Sequence, residues 1–201
     1  GGYMWTLAFE NKGASPLVNI VLGDEEIDQR LKFQCVMFRD TLLKELDHVE
    51  AFTYDGGTDI YNLKDSEQYG DYFKNTGHNG SLGGIVWKLE LDSGREYKGF
   101  KVHFREGCEL KSGEGITVWP FSTFRKPEEK HFIRDEGRDS ENIYKNRAYV
   151  AYQEKGSEDG TTHFLFSENK FKLIDTFEKV WIEKEMYYGD NLDYPSIKKD
   201  E

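Results

Sequence analysis

The sequence contains few of the residues that identify the more easily recognised protein classes. It has two cysteines, Cys35 and Cys108, which are too few for a disulfide-stabilised scaffold or a four-cysteine zinc site. No run of about 18 apolar residues occurs, so we expect no membrane-spanning helix. Two unpaired thiols are typical of a reducing compartment, and we therefore expect an intracellular location, cytoplasmic or nuclear.

Positive charge is also scarce. The chain has 27 Lys and Arg residues against 38 Asp and Glu residues, which gives a formal net charge of -11. Binding to a nucleic-acid backbone needs clustered positive side chains, so we expect no nucleic-acid partner. The acidic surface indicates solubility more than it indicates any particular ligand.

Recognisable motifs for catalysis are absent as well. No G-x-S-x-G motif is present, and no two histidines are spaced i, i+4. His103 and His163 fall on expected strands, where an added Asp or Glu could complete a zinc site, but hydrogen-bonded histidines are the commoner case. Cys108 would need a base such as His103 to act as a nucleophile. We therefore expect a protein that is not an enzyme and that needs no cofactor or metal.

Alternating apolar and polar residues dominate the middle of the chain. In residues 85–92, Ile85, Trp87, Leu89 and Leu91 form one apolar set. Residues 100–105 and 116–119 alternate in the same way, and glycine-containing breaks separate the three runs. A period of two places one set of side chains in a core and the other in water, which predicts an antiparallel sheet.

The same region resembles the lamin tail domain, the immunoglobulin-like β-sandwich that follows the rod of intermediate-filament proteins. Residues 73–75 (FKN) resemble its LRN strand end, and residues 81–84 (SLGG) resemble a conserved turn of that family. Residues 104–119 (FREGCELKSGEGITVW) resemble its run that ends in Trp. The resemblance covers about a quarter of the chain. It implies an all-β, immunoglobulin-like β-sandwich with a filament-associated role.

One amphipathic helix is expected over residues 24–49, before the sandwich. Leu31, Cys35, Phe38 and Leu42 follow one another at steps of four and three, with Asp24 placed to cap the helix. Such a helix either packs on its own sandwich or forms the seam of a homodimer through Leu31, Phe38 and Leu42. Two observations favour packing on the sandwich. Ser15-Pro16 lies upstream, where a long rod would be continuous helix, and residues 38–45 carry one residue more between Arg39 and the leucine pair than the motif that ends the rod in that family.

The expected domain organisation follows from these elements. Residues 1–23 form an N-terminal segment, residues 50–188 form the sandwich, and residues 189–201 form a polar C-terminal tail. Hairpins are expected at residues 49–63 and 147–166, and Pro120 is expected to end its strand. Residues 169–188 extend beyond a minimal lamin tail domain and are expected to pack against the sandwich.

The longest expected loop, residues 122–146, is the favoured contact surface. It is polar and charged, and long loops within compact domains are often functional. Its candidate partner-binding residues are Arg125, Lys126, His131 and Phe132.

The sequence therefore predicts a non-catalytic interaction module that contacts protein partners through loops and sheet edges. Two alternatives remain open. A sandwich that binds carbohydrate or peptide would use a platform of aromatic residues, for which Trp119, Tyr149 and Tyr152 are candidates. A small all-β hydrolase or metal enzyme would need a cluster of His, Asp or Glu side chains in one place.

Overall fold

The computed structural model describes residues 1–63, 72–126, 128–129, 143–172, 180–187 and 198–199. The candidate residues His131 and Phe132 lie outside the described residues. So does most of the expected tail, residues 189–201, apart from its last short strand.

The described chain consists almost entirely of β-strands. Apart from a 3-10 turn at Gly80–Leu82 and a four-residue helix, α1 (Asp40–Leu43), its elements are thirteen strands. In chain order they are β1 Gly2–Glu10, β2 Leu17–Asp24, β3 Leu31–Arg39, β4 Leu46–Thr53, β5 Thr58–Asn62, β6 Phe73–Asn79, β7 Gly84–Glu90, β8 Tyr97–Phe104, β9 Gly115–Phe124, β10 Ile143–Glu154, β11 His163–Lys172, β12 Val180–Tyr187 and β13 Lys198–Lys199.

These strands form two sheets. In the described residues, one sheet has the order β13-β12-β1-β9-β3-β7-β6 and the other has the order β11-β10-β2-β8-β4-β5. Neighbouring strands run antiparallel, except that β12 lies parallel to β1, with Trp5 opposite Ile182. Within residues 169–188, the described strand β12 thus joins the seven-stranded sheet beside β1.

The core lies between the two sheets and is rich in aromatic rings. Phe33 of β3 stacks on Phe100 of β8 with ring centroids 5.1 Å apart, and Phe9 of β1 stacks on Tyr152 of β10 at 5.9 Å. Both pairs join one sheet to the other, and such ring pairs add to the stabilisation from burial alone. The predicted all-β sandwich is therefore confirmed.

The expected helix over residues 24–49 is wrong. This region forms the end of β2, all of β3, the short helix α1 and the start of β4. A bulge between Phe33 and Cys35 explains the helix-like spacing, because the core side chains change from Phe33 to Val36 at that point. Core side chains in a strand are normally two residues apart, and the extra residue of the bulge makes them three apart. A spacing of three or four residues is the one expected of a helix.

The strand alternation predicted from the sequence holds for most positions in the middle of the chain. Phe100, Val102 and Phe104 of β8 are buried, as is Leu89 of β7. The start of β7 is the exception, since Ile85 is 42% exposed there and Val86, which belongs to the alternate set, is buried. The alternation therefore identifies β8 correctly and misplaces the first residue of the apolar set in β7.

Pro120 does not end its strand, contrary to the sequence prediction. It lies inside β9, opposite Val36 of β3. The ladder between β1 and β9 is interrupted at this point, because it passes from Met4–Phe121 directly to Leu7–Val118. A proline lacks the N–H group that strand pairing requires. β9 can therefore contain Pro120 because its pairing with β1 is interrupted at that residue.

Both hairpins predicted from the sequence are present. The strands β4 and β5 are joined by a tight turn in which the Thr53 hydroxyl donates to the Gly57 carbonyl oxygen at 3.0 Å. The strands β10 and β11 pair over ten residues, from Ile143–Lys172 to Tyr152–His163.

Candidate functional site

The outward-facing surface of the six-stranded sheet, here called the outer face, carries two cross-strand rows of side chains. The core row between them consists of Leu165, Val150, Leu22, Val102, Val49 and Tyr61. Because successive side chains in a strand alternate between faces, the rows on either side of this core row point outward. One outward row is Phe166, Tyr149, Gly23, Lys101, Glu50 and Ile60, and the other is Phe164, Ala151, Val21, His103, His48 and Asn62.

One end of the outer face carries an exposed aromatic patch, formed by Tyr149, Phe164 and Phe166. The Phe164 and Phe166 side chains are 58% and 44% exposed, and their rings stack with centroids 6.3 Å apart. Tyr149 lies beside them, at 6.3 Å from Phe164 and 5.9 Å from Phe166. The guanidinium of Arg147 lies 4.2 Å from the centroid of the Phe166 ring, a cation–π arrangement.

Tyr149 is the anchor of the patch and is only 8% exposed. Its hydroxyl lies over Gly23, the neighbouring residue of β2, where there is no side chain. Burial, followed by the nearby carboxylates of Glu25 and Glu50, raises the pKa of Tyr149 well above its ordinary value. Tyr149 therefore remains a neutral phenol and a hydrogen-bond donor at physiological pH.

The other end of the outer face carries a cluster of His48, Glu50 and His103, here called the histidine cluster. His48 of β4 lies directly opposite His103 of β8, and their rings stack with centroids 4.1 Å apart and 13° between planes. Glu50 lies two residues beyond His48 on the same face, and its Oε2 is 2.9 Å from Nε2 of His103. One ligand atom from each residue lies within 4.8 Å of the other two.

Two further side chains surround the cluster. Nδ1 of His48 lies 2.7 Å from Oδ2 of Asp47. Lys101, opposite Glu50, has its Nζ 3.2 Å from a carboxylate oxygen of Glu25 and 5.6 Å from the centroid of the Phe52 ring. The side chains of the cluster and of Asp47 are between 21% and 26% exposed, so solvent ions can reach them.

The residues predicted to form a dimer seam do not lie together on an exposed surface. Leu31 and Phe38 belong to β3 and are 1% and 0% exposed in the core. Leu42 lies on α1 and packs against the core with its side chain partly buried. Since the predicted helix does not exist, a homodimer seam through these residues has no structural basis.

The described residues of the expected loop differ from each other in exposure. The Arg125 side chain is buried, with its Nη1 3.1 Å from Glu96 Oε1 and its guanidinium 5.6 Å from the centroid of the Tyr54 ring. Lys126 is exposed. Of these two candidate residues, only Lys126 offers its side chain to a partner.

The sequence suggested His103 and His163 as a pair, but the structure places His103 beside His48. His163 stacks on Tyr152 at 5.4 Å, whereas His103 stacks on His48. Of the three aromatic residues considered as a platform, Trp119 and Tyr152 are buried away from the outer face, at 3% and 5% exposure. Tyr149 alone among them belongs to an aromatic surface, and its partners Phe164 and Phe166 were not among the candidates.

Neither thiol has the character of a nucleophile. Burial raises the pKa of Cys35 to about 11. Burial and then a hydrogen bond with Glu45 raise the pKa of Cys108 to about 11 as well. A catalytic cysteine needs a thiolate near neutral pH, which these two environments disfavour.

Comparison with known proteins gives no family for this chain. No family model matches it, lamin tail domains included, and no curated protein matches it. Among solved structures, it is similar to the collagen-binding subdomain of the Enterococcus faecalis surface protein ACE, with 10% identity over 85% of this chain and 97% of that one, at a TM-score of 0.27. A collagen-binding domain from a Staphylococcus aureus adhesin is similar over 83% of this chain and 97% of its own, at 8% identity and a TM-score of 0.22.

With TM-scores this low, neither likeness carries an argument about this chain, and the β-sandwich is shown by its own strand order. Within the described residues, no helix has the length and apolar character needed to cross a bilayer.

Proposed function

We propose that this chain is a non-catalytic binding module that takes an extended polypeptide segment of a protein partner along β11 and over the aromatic patch. The observation that carries this proposal is the pair of exposed rings, Phe164 and Phe166, on the terminal strand of a sheet. Large exposed apolar side chains that are contiguous with one another mark interaction surfaces more often than single ones do.

The position of these rings favours a polypeptide. In the described residues, β11 is the last strand of its sheet, so one side of its backbone is not hydrogen-bonded to a described strand of that sheet. Such an edge can hydrogen-bond to an added strand, and the alternating side chains of β11 then contact alternate residues of that strand. Phe164 and Phe166 are two residues apart and share one face, which suits an extended partner.

A carbohydrate fits this surface less well. A sugar presents many hydroxyl groups, each of which needs a hydrogen-bonding partner when it is removed from water. Phe164 and Phe166 have no such groups, and the hydroxyl of Tyr149 already lies beside Glu25. The aromatic patch therefore favours apolar side chains of a peptide over sugar rings.

The charge of the chain favours a basic partner segment. The net charge is -11, and the carboxylates of Glu25 and Glu50 lie close enough to Tyr149 to influence its pKa. Opposite charges increase the rate of association and exclude acidic competitors. We therefore expect a segment that alternates apolar and basic residues.

The finer predictions from the lamin tail resemblance receive little support. The filament-associated role depended on that resemblance and on a helix before the sandwich, and β3, α1 and β4 replace the helix. An immunoglobulin-like strand arrangement and an intracellular location stay predictions.

A peptide library displayed on phage tests the proposal. Selection on the wild-type protein is expected to enrich basic and apolar sequences, whose synthetic peptides are then measured by fluorescence anisotropy. Burying a phenylalanine contributes about 1.5–3 kcal/mol, so Phe164→Ser or Phe166→Ser should each weaken binding by about 10-fold to 100-fold. Ile85→Ser is the matched control, because Ile85 is 42% exposed on the other sheet.

The results separate the alternatives. Peptide binding that Ile85→Ser weakens as much as Phe166→Ser does would contradict the proposal. Failure to enrich any peptide, together with binding to a glycan array that depends on Phe164 and Phe166, would favour the carbohydrate alternative.

A further inference from the structure

We propose that the histidine cluster is a zinc site on the outer face, with His48, His103 and Glu50 as its three protein ligands. Two imidazoles and one carboxylate form a donor set that zinc accepts, and a fourth position then remains for water or for a ligand from outside the chain. This inference is argued from the geometry of the cluster and does not rest on the proposed peptide site, although the Glu50 carboxylate also lies near Tyr149.

The separation of the Glu50 and His103 ligand atoms is already close to that of two neighbouring ligands of a zinc ion. Their Oε2 and Nε2 atoms are 2.9 Å apart. Tetrahedral zinc with bonds of about 2.0–2.1 Å separates neighbouring ligand atoms by about 3.3 Å. Zinc binding would therefore change this separation by only a few tenths of an ångström, while the carboxylate would move off the line of the hydrogen bond so that both atoms face the ion.

His48 completes the site after a small rotation of its ring. Its ligand atom lies within 4.8 Å of those of Glu50 and His103, and closing to about 3.3 Å needs a movement of at most about 1.5 Å. Two stacked imidazoles direct their lone pairs in parallel, so one ring must turn for both nitrogens to reach one ion. The His48 side chain is half-buried, at 24% exposure, and the rotation moves it between staggered rotamers.

Asp47 is a positioning residue for this site. Its Oδ2 lies 2.7 Å from Nδ1 of His48, and a carboxylate there favours the tautomer with the proton on Nδ1, which leaves Nε2 to bind the metal. Metal-binding histidines usually have such a carboxylate or carbonyl partner on the second nitrogen, which fixes the tautomer. This contact is a separate observation from the spacing of the three ligands.

The local charges also favour a divalent cation. Glu50 and Asp47 supply two carboxylates, and the chain as a whole is acidic. Lys101 is the nearest opposing charge along the row, but its Nζ is paired with Glu25 at 3.2 Å. Zinc is preferred over Mg²⁺ or Ca²⁺, because imidazole nitrogens suit zinc and the two lighter ions require oxygen ligands.

Isothermal titration calorimetry of the metal-free protein with zinc chloride tests this inference. We expect one zinc ion per chain with a Kd of about 10 μM or tighter, and at least about 30-fold weaker binding for H48Q, H103Q or E50Q. D47N should weaken binding by about 10-fold. H78Q is the matched control and should bind as the wild type does, since His78 is exposed on β6 of the other sheet.

A second measurement guards against variants that fail to fold. Cobalt(II) added to the wild type should give the visible absorption bands of a tetrahedral site, and E50Q should lose them while keeping the circular dichroism spectrum of a β-protein. Zinc binding weaker than about 1 mM in the wild type, or equal affinities for H103Q and H78Q, would overturn the assignment.

Discussion

The hydroxyl oxygen of Tyr149 lies 3.2 Å from the point that a Cβ on Gly23 would occupy. The glycine therefore provides the space through which the tyrosine side chain crosses from β10 over β2. That crossing keeps Tyr149 nearly buried on a face where its neighbours Phe164 and Phe166 are exposed. One residue without a side chain thus determines how the aromatic patch is anchored.

Replacing this glycine is expected to destabilise the fold. In Gly23→Ala, the new Cβ would stand 2.8 Å from the carbonyl oxygen of Phe100 and 3.2 Å from the Tyr149 hydroxyl. Backbone atoms cannot move aside easily, so we expect a loss of about 1–3 kcal/mol in the free energy of unfolding. Urea denaturation followed by tryptophan fluorescence measures it.

The matched control is Gly80→Ala. A Cβ on Gly80 has no neighbour within 4 Å, so its free energy of unfolding should stay within about 0.5 kcal/mol of the wild type. Equal stabilities for Gly23→Ala and Gly80→Ala would contradict the crowding at Gly23.

Phe38 is expected to contribute to the core and not to a dimer. Its side chain is 0% exposed and packs at 6.3 Å from the Phe73 ring. Phe38→Ala should lower the free energy of unfolding by about 3–5 kcal/mol, whereas Ile60→Ala, at a position 63% exposed, should change it by no more than about 0.5 kcal/mol. Denaturation curves and the mass from light scattering provide the two readouts. A wild-type dimer that Phe38→Ala converts to a folded monomer would contradict this prediction.

The two thiols are expected to react slowly in the folded protein. With a pKa of about 11 for Cys35 and for Cys108, only about one thiol in several thousand is ionised at pH 7.5. Alkylation by iodoacetamide should therefore be at least about 100-fold slower than in concentrated guanidinium chloride, where thiols have a pKa near 8.5. Mass spectrometry of Cys35→Ser and Cys108→Ser assigns the rate to each thiol. A thiol that reacts equally fast in the folded and unfolded chain would revive the hydrolase alternative.

Glu90 is expected to make stability depend on acid pH. Hydrogen bonds from Lys74 and then from Lys88 lower its pKa from 4.5 to about 2. A lowered pKa stabilises the fold above the unfolded value, and this contribution is lost as the pH falls from about 4.5 through about 2. Because the side chain is 39% exposed, Glu90→Gln should cost no more than about 1 kcal/mol at pH 7.

The difference between Glu90→Gln and the wild type should shrink towards zero near pH 2. It should also shrink at about 1 M salt, where charges are screened beyond about 3 Å. Thermal unfolding from pH 2 to pH 7, carried out at low salt and again at about 1 M salt, measures both effects. A difference that is constant across this range would mean that the carboxylate charge is not responsible.

Duplex DNA is not expected to bind. The net charge of -11 repels the phosphate backbone, and affinity for that backbone comes from clustered Lys and Arg. A mobility-shift assay at physiological salt should therefore show no binding tighter than roughly micromolar. A tighter complex would require a basic surface that the composition does not suggest.

Local residue patterns predicted those strands whose alternation is regular. Residues 100–105 alternate without interruption and correspond to most of β8. The turns between β4 and β5 and between β10 and β11 are marked by glycines, so the hairpins could also be predicted. Local sequence determines both features, and neither needs information from distant parts of the chain.

The bulge in β3 accounts for the main error and for the missed site. By shifting the core side chains from Phe33 to Val36, it gave residues 24–49 a helical spacing that placed His48 on the predicted helix and Glu50 just beyond its end. On a helix, residues i and i+2 point in different directions, but on a strand they share one face. The histidine cluster could be predicted only after β4 was recognised as a strand lying beside β8.

The parallel pairing of β1 with β12 has a consequence for how the chain is made. Trp5 pairs with Ile182, so a nascent chain exposes that side of β1 until the residues of β12 have also been synthesised. During this interval the uncovered strand is open to pairing with other chains. Chains whose synthesis pauses or stops before β12 is made should therefore depend on chaperones to remain dispersed.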